Sequence, residues 1–220
     1  MPIVTPPAHS RASCQRGQRF ARAIAAMLLL GQIAGCATKP VALSPDDQTA
    51  VGQIETYLND LRDFRAQFVE SGTEGNSAGT VWLDRPGRLR VQYEQPHPKL
   101  ILANHGRLLL ADLVTGATTT MPVANTPLGI LLADPIRFAG NATVASVQRF
   151  PGELQIGLTR PGAPAQGRLT LQFSTSPMAL IGVVVQDSTG RMLSLRLSDL
   201  VRDVAPDPAL FQYRPSAPPG

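Results

Sequence analysis

The chain has 220 residues, of which 43% are hydrophobic and 5% aromatic, with 20 Lys and Arg against 16 Asp and Glu. Four of the arginines (Arg11, Arg16, Arg19 and Arg22) fall within the first 35 residues, which contain no acid, so the remainder carries sixteen basic against sixteen acidic groups. That balance removes the electrostatic case for nucleic acid or for a polybasic membrane patch.

The arginine-bearing start leads into an apolar run over 23–30 and then small residues. Positive n-region, short apolar h-region and small exit residues read as a signal peptide over 1–35, too short for a membrane span. Cys36 directly follows Ile33-Ala34-Gly35. This is the layout of a lipoprotein signal, in which the thiol receives a diacylglyceryl group and cleavage leaves Cys36 first. The alternative is an ordinary signal cut after Ala37, which discards Cys36. Cys14 leaves with the signal, so the mature chain forms no internal disulfide and depends on an apolar core. About 185 residues remain, enough for one domain over 44–215. No later apolar run approaches the ~20 residues of a spanning helix.

Residues 36–43 read as a lipidated tether. Ser44-Pro45-Asp46-Asp47 then marks a helix start: a serine cap, proline at the first helical position and acids at the positive end of the dipole. Val51, Ile54, Leu58 and Leu61 follow at helical spacing, which predicts a helix to about Arg62. Beyond it the period falls to two, as in Phe64-Arg65-Ala66-Gln67-Phe68 and Leu89-Arg90-Val91-Gln92-Tyr93. Further strands are predicted over 79–84, 99–103, 107–113, 117–121, 142–150, 154–159, 168–174, 180–186 and 192–197. Turn signals such as Asn104-His105-Gly106, Pro151-Gly152 and Ser188-Thr189-Gly190 separate them. About eleven short strands in succession predict one strongly curved antiparallel sheet or barrel, a mainly β fold with helices.

Thr126-Pro127-Leu128-Gly129-Ile130-Leu131-Leu132-Ala133 interrupts the strands with a cap, a helix-starting proline and an apolar set. It predicts a short helix with a second turn near 136–138. Across a curved sheet, such a helix is either a fixed core plug or a movable lid. The closing segment from Pro206 to Pro215 is extended by its prolines, with Leu210 and Phe211 as anchors, and 216–220 form a disordered tail.

Catalytic patterns are missing. The sequence has no Gly-x-Ser-x-Gly elbow, no Gly-x-Gly-x-x-Gly, no phosphate loop and no His-Glu-x-x-His. His97 lies between two prolines, His105 in a predicted turn, and Asp84, Glu94 and Asp112 near strand ends, where solvated carboxylates are usual. The expectation is a protein without enzymatic activity, metal or cofactor. The apolar surplus suggests instead that the concave side of the sheet is either a filled core or a cavity suited to acyl chains, each buried methylene contributing about 0.8 kcal/mol.

The stretch Gly79-Thr-Val-Trp-Leu-Asp-Arg-Pro-Gly-Arg-Leu-Arg-Val-Gln-Tyr-Glu-Gln-Pro96 resembles the LolA family of periplasmic lipoprotein carriers. Leu100 to Ala103 before Asn104-His105-Gly106, the Thr126-Pro127-Leu128 segment, and Leu210-Phe211-Gln212-Tyr213-Arg214-Pro215 extend the resemblance, in order, over about 48–215. It implies an unclosed antiparallel barrel whose helical lid, with Leu128, Ile130, Leu131 and Leu132, covers an apolar cavity for lipoprotein acyl chains. It also implies that Arg85 acts as a lid latch, its guanidinium donors suiting carbonyls left unpaired at a helix end. Without the resemblance, the residues favour a surface salt bridge from Arg85 to Asp84 or a neighbour. Candidate cavity-lining residues are Trp82, Leu89, Val91, Tyr93, Leu100, Leu102, Val183, Val185, Leu195 and Leu197. Carriers place an aromatic where this chain has Leu89.

Taken together, the sequence predicts a monomeric, lipid-anchored relative of the carriers, holding acyl chains and delivering them to the inner leaflet of the outer membrane. Its partners would be an inner-membrane lipoprotein-releasing transporter or a periplasmic carrier, with no nucleic acid. Lipid-anchored proteins of this fold act as outer-membrane receptors. The rivals are a soluble carrier, a structural or signalling module with a filled cavity, and a hydrolase. Mass spectrometry of the mature N-terminus decides the first: a triacylated Cys36 is expected, and a chain starting after Ala37 would establish the soluble form.

Overall fold

The computed structural model describes residues 42–72 and 75–214. The predicted signal peptide, Cys36, most of the tether and the tail from 215 lie outside these residues. The first helix, α1 (Pro45–Asp60), begins as its sequence dictates: the Ser44 side chain accepts a bond from the Asp47 amide, with Pro45 in the first turn beside Asp46 and Asp47. Ala50, Ile54 and Leu58 recur every four residues and are its buried face. The helix stops at Asp60, short of Arg62, because Leu61 leaves helical geometry with a ψ of 75° while its amide still bonds the Tyr57 carbonyl.

Eleven strands follow: β1 (Asp63–Gly72), β2 (Gly75–Asp84), β3 (Arg88–Tyr93), β4 (Lys99–Asn104), β5 (Arg107–Asp112), β6 (Thr118–Pro122), β7 (Thr143–Phe150), β8 (Glu153–Thr159), β9 (Gly167–Thr175), β10 (Met178–Asp187) and β11 (Met192–Arg202). All eleven predicted strands are present, with ends shifted by a few residues. They form a single antiparallel sheet in the order β6-β5-β4-β3-β2-β1-β11-β10-β9-β8-β7. Chain neighbours pair throughout, with two exceptions. β1 closes on β11, and β6 and β7, adjacent in sequence, are the two edges. The sheet is therefore an unclosed barrel. Register shifts in the β1–β11, β7–β8 and β9–β10 pairs supply bulges that increase its twist.

Residues 123–142 connect the two edges. They contain a 3₁₀ turn (Val123–Asn125) and one short helix, α2 (Leu128–Leu131). Two expectations are corrected here. Thr126 does not cap α2; its hydroxyl bonds back to the Val123 carbonyl at 2.9 Å, and Pro127 occupies the cap position. Nor is there a second helical turn at 136–138, because side chains of α1 take the backbone groups that a turn would pair.

Alternation places Phe64, Ala66 and Phe68, then Val81 and Leu83, then Leu89, Val91 and Tyr93 on the inner face, packed with α1 and α2 in one core. Each such buried side chain contributes about 1.5–3 kcal/mol. The outer face carries a smaller cluster of Leu100, Leu102, Ala111 and Phe211, with Trp82, Leu210 and Tyr213 against it. Phe211 is the anchor the sequence predicts, but Pro208–Phe211 forms a 3₁₀ turn rather than an extended segment. The Arg90 guanidinium and the Asn104 amide bond the carbonyls of Leu210 and Phe211 at 2.8 and 2.9 Å, fastening it to the sheet.

Gly79 is the tightest point of the inner face. It lies opposite Phe68 and Tyr93, whose rings meet edge to face with centroids 5.0 Å apart. A Cβ on Gly79 would overlap the Gln92 carbonyl oxygen and approach the Phe68 ring to 2.8 Å. Gly79→Ala is expected to cost about 1–3 kcal/mol by overpacking, read as a lowered midpoint in denaturant with an unchanged m-value.

Candidate functional site

Three segments converge at one end of the barrel: the end of α1, the turn from β2 to β3, and the edge-to-edge connection. Arg85 stands between them and is 5% exposed. Its Nη2 donates to the Leu61 carbonyl at 2.7 Å and to the Leu58 carbonyl, and its Nη1 donates to the Ala133 carbonyl at 3.1 Å. The first two acceptors are among the carbonyls that any helix leaves without partners at its end. The third belongs to the connection. Arg85 Nε is buried without an acceptor among the described residues. Burial holds the guanidinium below the ordinary arginine range, and Asp134 partly offsets the effect. Asp84, the alternative partner, pairs instead with Arg88 at 2.6 Å.

The backbone reinforces the junction. The Arg85 amide bonds the Arg62 carbonyl, and the Gly87 amide bonds the Leu132 carbonyl, each at 3.0 Å. Gly87 has a φ of +78°, a conformation that favours glycine in this turn. Arg62 also reaches Asp134 at 3.0 Å, a contact open enough to solvent to add little.

Residues 136–138 of the connection are held by side chains of α1. Asn59 donates to the Ile136 carbonyl at 3.0 Å and accepts from the Ile136 amide at 2.9 Å, and Glu55 accepts from the Phe138 amide at 2.7 Å. Glu55 and Asn59 lie at i and i+4, a polar pair on one side of α1 beside its apolar face, with Arg62 following just beyond the helix end. In sequence these residues read as ordinary solvated positions, as polar residues flanking a helix face usually are. Their spacing was the available signal.

Beneath α2, the inner face encloses a cavity of about 30 Å³, room for a water molecule or two. A pocket for a drug-sized ligand takes up roughly 300 Å³ or more. Its wall is apolar throughout: Phe64, Val81, Leu89, Val91, Ile101, Leu128, Leu131, Val183, Val185, Leu193, Leu195 and Leu197. Six of the ten lining candidates are on it: Leu89, Val91, Val183, Val185, Leu195 and Leu197. Four are not. Register sets Trp82 opposite Arg90, Leu102 opposite Arg90, and Leu100 opposite Gln92, so all three share the outer face. The inner residue of β4 is Ile101. β4 is buried on both sides, so its sequence has no alternation by which to choose a face. The parity of Val81 and Leu83, both buried inward, likewise sets Trp82 on the outer face. Tyr93 faces inward but lies beyond the cavity, against Phe68.

The four candidates in α2 and its end are all buried. Leu128 and Leu131 meet the cavity, while Ile130 and Leu132 pack in the surrounding core. Among the described residues, no group of three or more His, Cys, Asp or Glu could hold a metal ion, and no helix is long and apolar enough to cross a membrane.

Fold and site together define a class: unclosed antiparallel barrels built around an apolar cavity, with the connection between their free edges as a cover. The model of the family described as outer membrane lipoprotein carrier protein LolA matches residues 59–214, and the chain belongs to that family. It is 26% identical over 184 residues to an outer-membrane lipoprotein carrier protein of Methylococcus capsulatus, covering 79% of this chain and 88% of the relative. It is 25% identical over 178 residues to the protein of that name from Dechloromonas aromatica, covering 76% and 85%. Among solved structures, a LolA superfamily protein from Nitrosomonas europaea is similar at 12% identity, covering 74% of this chain and 97% of that one with a TM-score of 0.42. The family is one of carriers rather than enzymes, and membership supports a periplasmic carrier role.

The two sets of contacts predict separable responses to substitution. Arg85→Leu is expected to speed amide hydrogen exchange at Gly87 and over 130–133, with little change at Ile136. Asn59→Ala is expected to do the reverse. Both are read by exchange mass spectrometry, with β8 and β9 as the unaffected reference.

Proposed function

We propose that this protein binds the acyl chains of lipoproteins in the cavity beneath α2, and that residues 123–133 open as a lid for which Arg85 is the latch. The observation that carries this reading is a wholly apolar cavity closed to about 30 Å³ beneath a segment held by few bonds. One side-chain bond, from Arg85 to Ala133, and two backbone bonds, from the Gly87 amide to Leu132 and from the Val123 amide to the Gly106 carbonyl, tie residues 123–133 to the barrel. A bond to a charged group is worth about 1.5–3 kcal/mol and a neutral one about 1. Burial of roughly four to six methylenes, at about 0.8 kcal/mol each, offsets their loss. The Asn59 and Glu55 bonds keep the second half on α1, so the lid turns about 134–136 instead of detaching.

The charge of the latch resides in Arg85, whose other two acceptors belong to α1. On opening, the guanidinium keeps these partners, which limits the cost of exposing it. The transfer is one of binding and release, with no bond made or broken.

The protein receives acyl chains from an inner-membrane lipoprotein-releasing transporter or from a periplasmic carrier and yields them to the inner leaflet of the outer membrane. With Cys36 lipidated it acts there as an anchored acceptor. Ala37 after the cysteine, rather than aspartate, fits that address. If the chain is cut after Ala37, the same cavity serves a soluble carrier. A labelled acyl probe is expected to bind the purified protein, and Arg85→Leu to impair lipoprotein transfer in a reconstituted assay by tenfold or so while the far-ultraviolet circular dichroism stays unchanged. Unchanged transfer by this variant would remove the latch role, and absence of probe binding would remove the acyl-binding role.

A further inference from the structure

At the end of the barrel opposite Arg85, a cleft of about 460 Å³ opens at the rim, lined mainly from the inner face and reached also by Leu100 and Ala111 of the outer cluster. Ile101 and Leu193 line both this cleft and the apolar cavity, so the two spaces adjoin. Their chemistry differs. Continuing the inner parity of Phe64, Ala66 and Phe68 brings Glu70 to the rim. The parity of Leu89 and Val91 brings Tyr93, and that of Ile101 and Ala103 brings Lys99. Thr119 joins them by pairing with Leu110, which pairs with Ile101.

The Tyr93 ring is buried and its hydroxyl faces the Glu70 carboxylate; burial first, then that carboxylate, raise the phenol above its ordinary range, so it stays protonated as a donor. Asp112, also on the rim, is already committed: its Oδ1 accepts from the amides of Val114 and Thr115 at 2.8 and 2.9 Å. Glu70 and Lys99 enter no salt bridge among the described residues. Glu70 is half-buried and Lys99 exposed, so both charged groups stand at the mouth of the apolar chamber within reach of a polar group entering it.

We infer that this mouth binds the polar junction of an acylated peptide, where ester carbonyls and amide N–H groups join the chains to the polypeptide. Lys99 and Thr119 donate to the ester carbonyls, Glu70 accepts from an amide N–H, and Tyr93 orients Glu70. The chains then run past Ile101 and Leu193 into the apolar cavity, and their methyl ends meet Leu128 and Leu131 beneath the lid. The head is thus read at one end of the barrel and the latch is worked from the other by the chain tips. The inference rests on the acyl-binding reading above.

The test uses the full chain and two probes: a synthetic dipalmitoyl S-glyceryl-cysteinyl peptide, and a pyrenyl alkane that has chain but no polar junction. Glu70→Gln and Lys99→Ala are each expected to weaken the lipopeptide about tenfold, the loss of one charge-assisted hydrogen bond. Alkane affinity should stay within about twofold, and Lys99→Arg should retain lipopeptide binding. Lys99 is exposed, so its replacement leaves the core untouched. Lipopeptide affinity unchanged in both variants, or equal weakening of both probes, would overturn the inference while leaving acyl binding in place. Failure of the unsubstituted chain to bind either probe would overturn acyl binding and the inference with it.

Discussion

Since β6 and β7 are consecutive along the chain and yet form opposite edges of the sheet, residues 123–142 must cross the barrel from one rim to the other. The rest of the molecule depends on that crossing. The two edges do not pair, and the connection lies over an apolar inner face that the open sheet leaves in need of a cover. The connection supplies it with Leu128, Ile130 and Leu131, on a helix too short to be stable without the barrel beneath it.

Arg85 ties this cover to the end of α1. Burying a guanidinium is costly, and here the cost is met by carbonyls that α1 would otherwise leave unpaired. The same side chain extends one bond across to the connection. Its position resolves two local problems, an open helix end and a loose crossing, with one group. It also makes the two halves of the crossing unequal. The half carrying the cavity-facing leucines is held at Val123, Leu132 and Ala133, whereas the half beyond Pro135 is bolted to α1 through Asn59 and Glu55.

The two faces of the sheet illustrate where sequence patterns are legible. In β3, alternation between Arg90, Gln92 and the apolar residues assigns Leu89 and Val91 to the interior without further information. In β4 the run Leu100, Ile101, Leu102 has no such alternation, because the segment around Phe211 covers its outer side. A sequence shows that such a strand is buried twice over, but not which residue faces which partner. The same limit explains Trp82, whose size suggests a core position and whose parity places it outside. Arg85 could be singled out only through family resemblance, since an arginine after an aspartate at a strand end otherwise suggests a salt bridge to it.

What the sequence by itself determined was local. The capped start of α1, the eleven strands and their turns, the short apolar helix among them and the Phe211 anchor all follow from period, proline, glycine and capping chemistry within a few residues. The order of strands across the sheet, the closure of β1 on β11 and the choice of inner face in β4 were decided by the tertiary structure. So were the contacts of Arg85 with Leu58, Leu61 and Ala133, and of Asn59 with Ile136, which join groups 24 to 77 residues apart. Hydrogen bonds over such separations exist only once the barrel has brought its rim to the end of α1, and no spacing along the chain encodes them.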